Sequence, residues 1–135
     1  MFVDVLQGGQ MSRGQCPVQR PVFQKLHGAA KATFTVLADL PNEFRVGVFA
    51  EEKNFDSWVR ISSDTDPSQP DLKTTVGFAI KLFGVDGQKL LPDEPDSRTH
   101  DFLLQNHDVF FVDNAREMCR STQATFAGTD KGHNP

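Results

Sequence analysis

From residue 31 onward the chain alternates apolar and polar positions with a period of two, the spacing of strands that bury one face. Segment 32–37 opens the pattern, with Phe34, Val36 and β-branched threonines between them. Leu40-Pro41-Asn42 breaks it, and segments 44–49 and 57–62 resume it. The longest run is 76–83, which leads through Gly84-Val85-Asp86-Gly87 into 88–91. Asp-Gly between two apolar runs predicts a hairpin turned there. Segments 102–104 and 109–112 read as two further short strands, separated by Gln105-Asn106-His107-Asp108. Asp113 or Asn114 then predicts the cap of a short helix through 115–118.

Six or seven strands with few helices and no internal repeat predict a mainly β (α+β) fold, an antiparallel sheet or barrel. The last segments offer no strand to close it, so an open edge is expected. Residues 1–22, polar and punctuated by Pro17 and Pro21, read as an N-terminal arm. Residues 23–127 form the β-barrel portion, and 128–135 a flexible tail. Trp58, the single tryptophan, is set in a β-rich segment and is expected to be buried.

Composition narrows the function classes. A net charge of −4 argues against a nucleic-acid partner. No apolar run reaches the length of about 18 residues that suggests a membrane span. No basic segment leads into an apolar one at the start, as a secretory signal would require. Cys16 and Cys119 stand alone, read as reduced thiols, and Cys119 is expected to be buried; a cytoplasmic location follows. Phenylalanine occurs 12 times and tyrosine never, which suits a dry core or a flat hydrophobic ligand. Asp64, Asp66 and Asp71 lack the glycine and final glutamate of a calcium loop, and no metal site is assigned.

Three segments, in order, carry a resemblance. Arg20-Pro-Val-Phe-Gln-Lys-Leu-His27-Gly28 precedes the first strand. Trp58-Val-Arg60-Ile-Ser62-Ser leads on to Gly77-Phe78-Ala79. Gln105-Asn106-His107-Asp108-Val109-Phe110-Phe111-Val112 comes last. Together these resemble the distal-side portion of the catalase superfamily, closest to its small group of allene oxide synthases and bacterial peroxidases. The family's distal histidine lies three residues after its arginine, where this chain has Phe23; His27 follows four residues later.

The resemblance implies an incomplete catalase-type β-barrel that binds heme and acts on hydrogen peroxide or a lipid hydroperoxide. His27 would be the distal base and Asn106 the amide that orients peroxide. Arg60, with Arg20 as a second candidate, would pair with a heme propionate. Phe34, Phe110 and Phe111 would face the porphyrin. Without tyrosine the family's iron ligand is absent; Cys119 or His133 is a substitute in principle only. These roles require His27, Arg60 and Asn106 to converge on one concavity.

Plainer readings stand beside these. His27 is also ordinary polar loop surface, Arg60 a solvated strand face, Asn106 a turn residue and one of Phe110 and Phe111 core. Alternative functions are therefore a non-catalytic module binding heme or another apolar ligand, and a truncated fragment without independent activity. A homo-oligomer, or a missing C-terminal half, would complete the molecule.

Overall fold

The computed structural model describes residues 7–71, 73–90 and 93–130. The chain divides into two compact units, Val22–Asn106 and Met1–Pro21 with His107–Pro135. The first is built on four strands: β1 Lys25–Val36, β2 Lys53–Ser63, β3 Val76–Phe83 and β4 Thr99–Gln105. They pair in chain order into one antiparallel sheet.

Alternation along each strand sorts the side chains onto two faces. Phe34 lies opposite Phe55, Ser57 opposite Leu82 and Ile80 opposite Phe102, so these residues share the core face. Val36, Phe55 and Leu82 are its buried centre. In a flat sheet three strand spacings would hold β1 and β4 about 14 Å apart. Instead the rings of Phe34 and Phe102 stack with centroids 5.6 Å apart, and Phe49 leans on both at 6.3 and 5.9 Å. The sheet therefore curls toward its core face, which is concave. Among the described residues it does not close into a barrel: β1 and β4 remain its edges.

Several expectations are corrected. Segment 44–49 is not a strand but falls into two 3-10 turns, Asn42–Phe44 and Gly47–Phe49. Gly47 takes φ +55°, and the Arg45 side chain folds back to donate to Leu40 O at 3.0 Å and to Ala38 O. Extended pairing is lost there, and Phe49 is delivered to the core instead. The hairpin at Asp86-Gly87 does not form either; β3 pairs with β4, fifteen residues on. The Asp86 carboxylate is pinned by Lys53 at 2.9 Å and by Arg98, which ties the connection to β2. No strand forms at 109–112, where Val109, Phe110 and Phe111 are all exposed. Trp58 is 47% exposed, because even-numbered β2 residues face away from the core.

In the second unit, α1 spans Gly8–Ser12 and α2 spans Ala115–Asp130. Asn114 caps α2 as expected: its Oδ1 accepts from the backbone of Arg116 and of Glu117, each at 3.0 Å. The helix runs about three turns beyond the expected 115–118. Cys119 is exposed on it, as is Cys16 elsewhere, and both are free thiols. No helix among the described residues is long and apolar enough to cross a membrane.

Candidate ligand-binding site

One end of the concave face is filled and the other is open. At the filled end lie Phe34, Phe49 and Phe102. At the open end the register aligns Gly28, Ile61, Phe78 and Leu104 in one row across all four strands. Ile61, Phe78 and Leu104 are 41%, 38% and 48% exposed, large apolar groups on the face whose other half is core. Such a row invites a ligand or partner.

Polar groups rim this row. A bulge between Leu26 and Gly28 sets His27 out of the ladder. Its Nε2 lies 2.9 Å from Ser63 Oγ. Ser63 pairs with Val76, whose N–H donates to Asn106 Oδ1 at 2.8 Å while Asn106 N–H donates to Val76 O at 3.1 Å. His27 and Asn106 thus bracket the same end of the sheet from its two edge strands. Asn106 is a ladder-end cap, bound to Val76 through both its side-chain oxygen and its backbone N–H.

Ser63, His27 and Asp71 imitate a nucleophile–base–acid set, yet the chemistry fails. Ser63 is only 2% exposed. Asp71 lies 4.0 Å from His27 Nδ1 and is held instead by Lys25 at 2.6 Å, which keeps its carboxyl below the usual range. The backbone N–H of the next residue, Asp64, is used by Thr75 O at 3.1 Å, so it cannot serve an oxyanion. These contacts clasp the loop after β2 onto the start of β1; Lys25 also donates to Gln69 O at 2.7 Å.

The expected convergence is incomplete. Arg60 stands on the outer face, since Ser63 and Arg60 differ in strand parity. Its guanidinium donates to Phe23 O at 2.8 Å. Phe23, where the resemblance expected a histidine, has left-handed φ +49° and lays its ring over Gly77 on that outer face. Phe34 belongs to the filled end, packed in the core cluster. Arg20, Phe110 and Phe111 belong to the other unit, where the two rings meet at 4.7 Å; His133 lies outside the described residues. Among the described residues no group of three or more metal-ligating side chains occurs. Ile61, Phe78, Leu104 and Ser63 were missed as site residues, because alternation marks them as strand positions but only register lines them up.

No family model, curated protein or solved structure matches the chain.

Proposed function

We propose that the Val22–Asn106 unit is a non-catalytic binding module for a flat, largely apolar ligand of the porphyrin class, seated on the open end of the concave face. The exposed row of Ile61, Phe78 and Leu104 carries the reading. A planar hydrophobic ligand would remove that row from water, worth about 25 cal/mol for each Å² covered. His27 and Asn106 at the rim would meet the ligand's polar edge. A catalase-type heme site does not fit: Arg60 faces the other way, and the chain has no tyrosine. No reaction step is therefore assigned. A second reading, peroxide chemistry with His27 as base, is favoured only by the placing of His27 and Asn106 at one end of the sheet.

Titration with hemin and with iron-free protoporphyrin, followed by absorbance and quenching of Trp58, tests this. Both ligands should bind with similar affinity, and Phe78→Asp should weaken each at least tenfold. Oxygen release from peroxide by the hemin-loaded chain should match free hemin and be indifferent to His27→Ala. Vigorous turnover abolished by that change would replace the first reading with the second. Binding untouched by Phe78→Asp would remove the site.

A further inference from the structure

The two free edges of the sheet carry matching information. The bond from Asn106 N–H to Val76 O makes 76 and 106 a hydrogen-bonded pair, and in antiparallel sheets such pairs recur every second residue. Counting across the register, even residues of β3 bond β4, even residues of β2 bond β3 and even residues of β1 bond β2. The outward backbone groups are therefore those of Ala29, Lys31, Thr33 and Thr35 on β1. On β4 they are those of Thr99, Asp101, Leu103 and Gln105. Three antiparallel steps separate β1 from β4, so the two edges run in opposite directions and can themselves pair antiparallel.

One register joins them well. With Lys31 opposite Asp101, Thr33 meets Thr99 and Ala29 meets Leu103, all on the outer face. On the concave face Gly28 then meets Leu104, Ala30 meets Phe102 and Ala32 meets His100. Every bulky β4 residue faces a small β1 residue, and the single charges are opposite in sign. Asp101 already holds Lys81 at 2.8 Å, but a carboxylate has room for a second cation. The curl supplies the closure. Side chains of β1 and β4 touch across the concave face, as they do across the filled interior of a barrel of about eight strands.

We propose that two copies of this chain close into one eight-stranded barrel, each β1 edge pairing with the partner's β4 edge around a two-fold axis. The Ile61–Phe78–Leu104 rows of both copies then line a shared interior. The inference rests on edges and register, and stands whether or not a ligand binds there.

Sedimentation equilibrium of the full chain is the first measurement, with twice the chain mass expected. Thr33→Pro removes an outward N–H without touching the β1–β2 ladder. It should give a monomer with an unchanged far-UV circular dichroism spectrum. In a Cys16→Ser, Cys119→Ser background, Ala32→Cys with His100→Cys should oxidise to a covalent dimer, since facing residues at such positions lie about 4.5 Å apart between Cα atoms. A monomeric parent chain, a dimer indifferent to Thr33→Pro, or a ladder of longer polymers would each overturn the closed pair.

Discussion

A methyl group added at Gly77 would lie 2.8 and 2.9 Å from ring atoms of Phe23 and 3.2 Å from Ser62 Oγ. Neither neighbour can retreat cheaply. Phe23 is held at its positive φ by two bonds: Arg60 takes its carbonyl, and its N–H donates to Asp64 Oδ1 at 3.1 Å. Such backbone costs about 1–3 kcal/mol and persists only where its surroundings enforce it. We expect Gly77→Ala to lower unfolding stability by about 1–3 kcal/mol in denaturant titrations. The loss should shrink in a Phe23→Ala background; equal losses in both would mean that the ring is not the obstacle. A glycine within a strand commonly marks a close approach. The approach at Gly77 was not legible in the sequence, because Phe23 and Gly77 are 54 positions apart and meet only once β2 and β3 are in register.

At the scale of elements, period-two alternation located β3 closely, and β1 and β2 only in their later halves. The first half of β1, Leu26 to Ala30, is a bulge followed by small residues, and it alternates nothing. Segment 44–49 alternates convincingly and still is not a strand. Arg45 spends its guanidinium on two carbonyls of its own turn, a contact invisible to pattern. Asp86-Gly87 misled for a related reason: Gly87 does adopt φ +101°, but Lys53 and Arg98 draw Asp86 aside and the chain pairs later. Caps were more legible, since their chemistry is local. Asn114→Ala should therefore cost about 1 kcal/mol, read as an earlier thermal loss of helical circular dichroism. Asn114→Asp should lose far less. If Ala and Asp behave alike, the Oδ1 bonds to Arg116 and Glu117 are not what holds the helix start.

For the molecule as a whole, the antiparallel mainly β architecture and its open edge were legible and the curl of the sheet was not, because curvature is set by packing of Phe34, Phe49 and Phe102. The candidate site was legible only in its two rim residues. His27 and Asn106 came from the sequence, and strand parity, known only from register, removed Arg60 from their face. Charge offers the last test at this scale. Among the described residues, three lysine–carboxylate pairs help fasten the connections of Val22–Asn106: Lys25 with Asp71, Lys53 with Asp86 and Lys89 with Glu94. In each the lysine's hydrogen bond and charge lower the carboxyl pKa, aided at Asp86 by Arg98. A carboxyl whose folded pKa is depressed contributes stability above its unfolded pKa, about 3.9 for Asp and 4.3 for Glu, and loses it as pH falls through the folded value. The denaturant midpoint should thus hold steady from neutral pH to roughly pH 5 and fall below pH 4. All three carboxylates are open to water, so each contribution is small and screened by salt. Asp86→Asn should lie below the parent chain at pH 7 and converge on it toward pH 2, with the gap narrowing in molar salt. Parallel curves at every pH would mean that the clasp at Asp86 is held by shape alone.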